Sequence, residues 1–224
     1  DIFYLKFIFV KNCLRLYMVD VLNIDKINLK FRYSKPEDII NYTLSYFEPT
    51  VLTTNFGPYE IALVYLINSL NSRIPIIWVD TGFNTNETYD YIKKIIYKHQ
   101  LKILKYHPKE NSKFKKIKAN QIPNLNTKEH ELFTHDVKIE PFNRAMKETK
   151  AKIWITNIRK GQTKHRDNLD IFSFSKNRIL KVSPFFYWSD EKLNEFIRKN
   201  ELINNNQYFD PTKVLKNREC GLHN

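Results

Sequence analysis

Apolar residues along this 224-residue chain recur with two different periods, and the alternation between them sets the expected architecture. Ile74 to Val79 (IPIIWV) is an uninterrupted apolar run ending at Asp80-Thr81-Gly82, the pattern of a strand covered on both faces. Val51 to Asn55 is short and β-branched and runs into Gly57, a strand entering a turn. Leu101 to Tyr106, Lys152 to Asn157 and Ile179 to Val182 read as further strands. Between them the spacing turns helical. Ile39, Ile40, Leu44 and Phe47 follow Ser34-Lys35-Pro36-Glu37, where Ser34 suits an N-cap, Pro36 the first turn and Glu37 the third position. Pro58 to Leu70, Pro141 to Thr149 and Ser189 to Lys199 are expected helices. So is the stretch carrying Tyr91, Ile92, Ile95 and Ile96, capped near Asn84 or Thr85.

Strands alternating with helices imply an α/β fold: a doubly wound, mostly parallel sheet with helices on both faces. The expected domain spans residues 20–203. Residues 107–128, rich in Lys, Asn and Pro, read as a long loop. Residues 204–224 are polar, basic and short of core residues, and read as a flexible C-terminal tail carrying Cys220. Residues 1–19 form an apolar arm of unassigned role. Lys6, Lys11 and Arg15 interrupt it, so no uncharged span reaches the ~20 residues a bilayer requires. No small-residue cleavage site follows, which argues against a signal peptide.

Composition narrows the chemistry. Two cysteines far apart, Cys13 and Cys220, exclude a disulfide framework and any cysteine-built metal or iron–sulfur site, and fit a reducing cytoplasm. Cys13, inside the apolar run, reads as an inert thiol. The net charge of +13 has two readings. It is the mark of an anionic partner, or it follows from the AT-rich codons that would also supply the abundant Asn and Ile.

Only four glycines occur, and three sit just past expected strands: Gly57, Gly82 and Gly161. In open α/β sheets ligands bind beyond the carboxyl ends of the strands, where glycine lets backbone N–H groups approach a phosphate. With Thr53, Thr54 and Asn55 as donors these loops describe a nucleotide cradle; the alternative is that they are turn residues alone. Next, Arg159-Lys160-Gly161-Gln162-Thr163-Lys164-His165-Arg166 places four cations directly after a strand. Guanidinium groups bind phosphate or sulfate bidentately, so the cluster suits oxyanions; a solvated basic loop is the other reading. Finally, Cys220 lies near Lys216, Arg218 and His223, which favour the thiolate, the attacking form.

Taken in order, TTNFG (53–57), VDTGFNTNETYDYI (79–92), KIEPFNRAMKE (138–148), IRKGQTKHRDNL (158–169), KVSPFFYW (181–188) and ECGLH (219–223) resemble the phosphoadenosine phosphosulfate reductases. These are assimilatory enzymes of the adenine-nucleotide α-hydrolase-like fold. The resemblance runs from about residue 36 to 224. It implies thiol-dependent reduction of 3′-phosphoadenylyl sulfate to sulfite and adenosine 3′,5′-bisphosphate through an S-sulfocysteine. Thr53, Thr54, Asn55, Phe56 and Gly57, with Asp80, Thr81 and Gly82, would hold the nucleotide. Lys138, Arg159 and Arg166 would contact the phosphosulfate, with Lys160, Gln162, Thr163, Arg218 and His223 completing the binding set. Cys220 would be the catalytic nucleophile.

The same resemblance implies thioredoxin or glutaredoxin as electron donor, a small nucleotide as substrate, neither nucleic acid nor membrane as partner, and a homodimer. Relatives that use unphosphorylated adenylyl sulfate usually carry an iron–sulfur cluster on a Cys-Cys pair and a Cys-x-x-Cys. Here Phe133 and Thr134 stand about where the pair would be, implying no cluster and no metal. The segment before ECGLH is shorter than in the family and contains QYFDPTK, while Asn55, Asn157 and Lys160 replace a Ser, a Gly and an Arg. A cluster-free adenylyl-sulfate reductase and an inactive nucleotide-binding relative remain alternatives. NFGPYE lacks the Gly-Gly pair and Asp of ATP pyrophosphatases, and the basic cluster lacks the interleaved aromatics of a nucleic-acid module.

Overall fold

The structure is a computed structural model describing residues 23–46, 49–109, 122–124, 127–210 and 212. Expectations for residues 1–19, for most of the 107–128 loop and for Arg218, Cys220 and His223 lie outside the described residues. The sheet is built from β1 (Thr50–Thr54), β2 (Ile76–Val79), β3 (Ile103–Tyr106), β4 (Ile153–Ile155), β5 (Phe172–Phe174) and β6 (Leu180–Val182). Their spatial order is β3-β2-β1-β4-β6-β5. All neighbours are parallel except β5, which returns antiparallel on β6 with Phe172 opposite Val182.

Alternation along the strands divides the core in two, because successive side chains leave opposite faces of a sheet. Leu52, Ile76, Trp78, Ile153 and Ile155 join the larger cluster, while Val51, Ile77 and Trp154 join the smaller one. The larger cluster is covered by α1 (Ile24–Phe31), α2 (Pro36–Tyr46), α3 (Glu60–Leu70), α4 (Asn86–His99) and α8 (Asp190–Lys199). The smaller is covered by α6 (Glu140–Glu148) through Phe142, Ala145 and Met146. Burial on both faces explains why β2 (IIWV) and β4 (IWI) read as unbroken apolar runs. Among the described residues no helix is long and apolar enough to cross a membrane.

Element boundaries follow local chemistry. Thr85 caps α4, its Oγ1 accepting from Thr88 N–H, and Ser189 caps α8 by accepting from Lys192 N–H. The expected cap at Ser34 is displaced. Helix α2 begins at Pro36, and the carbonyl of Lys35 takes the first N–H groups, from Asp38 and Ile39. Proline keeps the residue before it out of the helical region, so the helix starts on the proline itself.

Four elements went unpredicted, one of them the single helical turn Lys164–Asp167. Helix α1 lies beside β5, where buried Asn28 donates to the carbonyl of Phe172 at 2.9 Å and accepts its N–H at 2.8 Å. The side chain thus stands in for a missing strand. Helix α5 (Lys128–Thr134) continues through a π-helical stretch, His135–Ile139, into α6. The fourth element is β5 itself. The tail expectation also changes for residues 204–210 and for Thr212. Asn205, Asp210 and Thr212 are buried, held by side-chain hydrogen bonds that composition does not display.

Asn28→Ala is expected to lower unfolding free energy by about 2–4 kcal/mol, because it strands both backbone groups of Phe172 in the interior. Chemical denaturation with an unchanged m-value would verify it.

Candidate active site

The strand order reverses between β1 and β4, because the chain adds β2 and β3 on one side of β1 before returning to build the other. Loops leaving adjacent strands then diverge to opposite faces and open a crevice at their carboxyl ends. A cleft of about 950 Å³ lies there, lined by the loop after β1, by residues 156–163 after β4 and by Tyr208 to Asp210. Its floor is apolar and aromatic, with Ile77, Val79, Phe142 and Trp154. The Trp154 indole donates to Thr53 Oγ1 at 2.7 Å, joining the two strands that frame it.

Of the expected residues, Thr53, Thr54, Asn55, Gly57, Thr81, Lys138, Arg159, Lys160, Gln162, Thr163 and Arg166 line this cleft. Phe56, Asp80 and Gly82 do not. The Phe56 ring is in the core, edge-on to Trp78 at 5.7 Å. Asp80 works beneath the loop: its carboxylate accepts from Gly82 N–H, Asn84 Nδ2 and Tyr89 Oη, and meets Lys105 Nζ at 2.8 Å. Burial would raise its pKa, but the bonds from Lys105, Gly82 and Tyr89 outweigh it and hold the carboxyl below its ordinary value. Burial, and then the bond to this carboxylate, push the Tyr89 phenol up to about 12.

The three glycine N–H groups expected to cradle phosphate are each engaged within their own loop. Gly57 donates to Asn55 Oδ1 at 2.8 Å, Gly82 to Asp80 Oδ1 at 3.0 Å and Gly161 to Asp167 Oδ1 at 2.6 Å. Turn geometry accounts for two of them, since Gly82 and Gly161 have φ of 81° and 83°. Gly57 permits a close approach: a Cβ there would stand 3.1 Å from the Tyr208 ring.

The cationic loop is closed on itself. Gln162 Oε1 accepts from Arg159 N–H at 2.9 Å and from the Arg166 guanidinium, while Thr163 caps α7 (Lys164–Asp167). Arg159 is buried, stacked 5.2 Å from the Tyr59 ring, and donates to Trp188 O at 3.1 Å and Asp190 Oδ1 at 2.6 Å. Its Nε is buried without a hydrogen-bond partner. Lys138, placed in the cleft by the π-helical stretch, donates to Asp210 Oδ2 at 2.7 Å and Thr212 Oγ1 at 3.0 Å.

These two carboxylate pairs differ in cost. The Asp190 side chain is 57% exposed and is readily rehydrated on leaving, but Arg159 is only 8% exposed, so the guanidinium then needs another anion in its place. Lys138 and Asp210 side chains are 7% and 6% exposed, and separating such a pair costs about 3–5 kcal/mol. Burial acts to raise the Asp210 pKa, yet the charge of Lys138 and the bonds from Lys138 and Thr212 keep it below the usual range. Sequence reasoning missed Tyr59, Asn157, Asp190, Tyr208 and Asp210. A carboxylate directly after two aromatics in QYFDPTK was the available signal for the last two.

Fold and cleft together define an open, doubly wound α/β protein with its cleft at the point where strand order reverses. FMN adenylyltransferase of Candida glabrata shares this fold at a TM-score of 0.51 and 13% identity, covering 73% of this chain and 52% of that one. A family model described as "Phosphoadenosine phosphosulfate reductase domain" matches residues 49–211, and the chain belongs to that family. The solved phosphoadenylyl-sulfate reductase from Candida auris, a phosphate complex, superposes with a TM-score of 0.70 at 25% identity, covering 81% of this chain and 87% of that one. The phosphoadenosine 5′-phosphosulfate reductase of Synechocystis is 27% identical over 183 residues, 81% of this chain and 73% of its own length. That of Buchnera aphidicola is 25% identical over 223 residues, 89% and 91%.

Two outcomes follow from these contacts. Asp190→Ala, by releasing Arg159 from its carboxylate, should tighten binding of inorganic sulfate or phosphate severalfold in titration calorimetry. Asp80→Asn should cost about 2 kcal/mol at neutral pH. Because the folded Asp80 pKa is lowered, its contribution is complete above the unfolded value near 3.8 and is lost as pH falls through the folded value. Urea titrations should therefore show a shallower acid limb for the variant.

Proposed function

We propose that this protein reduces 3′-phosphoadenylyl sulfate to sulfite in sulfate assimilation, with Cys220 as nucleophile and a thioredoxin or glutaredoxin as reductant, in the cytoplasm. The observation that carries the reading is the loop Arg159–Arg166, set by β4 on the switch-point cleft of a chain whose sequence runs on to ECGLH. The cleft's two sides suit the two ends of such a substrate. The flat apolar side, with Phe142 and Trp154, would take the base, and Arg159, Lys160 and Arg166 would meet the charged groups.

The chemistry requires this division. A sulfonate presents three oxygens that share negative charge, so cations must offset it before a thiolate can approach. Cys220 Sγ gives an electron pair to the sulfur, the S–O bond to the 5′-phosphate breaks, and adenosine 3′,5′-bisphosphate leaves with the bonding pair. A carrier thiolate then attacks Cys220 Sγ, and sulfite departs with the pair of the S–S bond. The carrier's second thiolate resolves the mixed disulfide and restores Cys220. Two electrons pass from dithiol to sulfur, and two thiol protons go to water. With Cys13 the only other cysteine in the sequence, 207 positions earlier, an external dithiol is the natural resolving partner.

Cys220→Ser should abolish sulfite release while adenosine 3′,5′-bisphosphate still binds, and intact-mass measurement should find a sulfonate adduct on the parent protein alone. Full turnover in the variant would refute the role. Running both assays with adenylyl sulfate in place of the phosphorylated nucleotide sets the substrate: a preference for the unphosphorylated compound would assign the cluster-free alternative.

A further inference from the structure

We infer that Asp210 is a positioning residue: with Thr212 it anchors the chain to Lys138 and so fixes the point from which the backbone runs on to Cys220. The inference rests on the proposed role of Cys220, but its support lies in described contacts.

The anchor is built on both sides. One carboxylate oxygen of Asp210 takes the Lys138 ammonium, and the other accepts from Thr212 N–H at 3.0 Å and Thr212 Oγ1 at 2.6 Å. Thr212 Oγ1 in turn accepts from Lys138 at 3.0 Å. All three residues are more than nine-tenths buried. Upstream, the same segment is stitched to the β1 loop: Tyr59 N–H donates to Asn204 Oδ1 at 2.8 Å, and Asn205 Nδ2 to Phe56 O at 3.0 Å. Tyr208 to Asp210 thus line the cleft in a segment fastened through Asn204 and Asn205 on one side and through Asp210 and Thr212 on the other.

Lys138 has two conceivable duties, to bind a substrate oxyanion or to hold Asp210. An oxyanion taking the ammonium would leave a buried carboxylate uncompensated, which is the costlier arrangement. The ion pair is therefore kept in the loaded cleft, whether or not the ammonium, with its three N–H donors, also meets the phosphosulfate. Cys220 follows Thr212 by eight residues. Extended chain of that length spans at most about 28 Å, so the position of Thr212 decides which points the thiolate can reach and how concentrated it is there.

The test is Asp210→Asn, with Asp210→Glu as the conservative variant. Expected is a fall in kcat of about tenfold to a hundredfold, the scale of a small misplacement of a reacting group, with KM and adenosine 3′,5′-bisphosphate affinity changed less than about twofold. Single-turnover formation of the S-sulfo adduct should slow by the same factor, and Asp210→Glu should recover part of the rate. Tighter nucleotide binding in Asp210→Asn would overturn the inference, since it would mark the carboxylate as a competitor for the anion site. An unchanged adduct rate would overturn it as well. Should Asp210→Asn fail to fold, Thr212→Val, which keeps the ion pair, is expected to show the same split between kcat and KM. The parent protein separates the two proposals: no adduct on the parent defeats the role of Cys220, whereas equal adduct rates in parent and variant defeat only the anchor.

Discussion

The parallel pairing of β1 with β4 is the constraint on which the site depends. Residues 50–54 and 153–155 lie about a hundred positions apart, yet the ladder sets Leu52 against Ile155 and so brings the ends of both strands to one line. Everything anionic the cleft could hold must enter between the loops that leave those ends. Each loop is stiffened before any ligand arrives: Thr54 and Asn55 bond the backbone two residues on, and Gln162 ties Arg159 to Arg166. Rigid loops on a rigid ladder spend little ordering entropy when a ligand binds.

The electrostatics of the cleft are less open than its cation count suggests. Arg159 and Lys138 each meet a carboxylate supplied by the chain itself, one on the first turn of α8 and one beyond it. Both cations are buried, but the Asp190 carboxylate is exposed and exchangeable for another anion, whereas that of Asp210 is buried with its partner. Net charge, read along the sequence, hides this distinction.

Much of the fold was legible because both faces of the sheet are covered. IPIIWV reads as a strand for the reason that it is one: Ile76 and Trp78 face one cluster while Ile77 faces the other. Thr85 was readable as a cap because its partner lies three residues away, and Ser189, where a helix was expected to begin, caps at the same spacing. Helix α1 was not, since its buried Asn28 breaks the apolar stripe and its partner Phe172 is 144 positions off. Asp210 was lost for the same kind of reason. A polar, basic stretch resembles solvated chain until Lys138, 72 residues earlier, is brought beneath it. The motif order carried the family, and eleven of the expected binding residues fall on the cleft, but which cations were already occupied depends on long-range contacts that spacing does not encode.

The bidentate grip of Asn28 on Phe172 also bears on how the molecule behaves in crowded solution. A bare margin on β5 would offer backbone donors and acceptors to any extended segment, including that of a second copy. One amide side chain consumes the pair at Phe172, and at the opposite border Lys102 and Lys105 flank Ile103 and Leu104 with charge. One backbone pair on β5 is thus closed to edgewise pairing by the chain's own amide, and the β3 margin carries charge beside it.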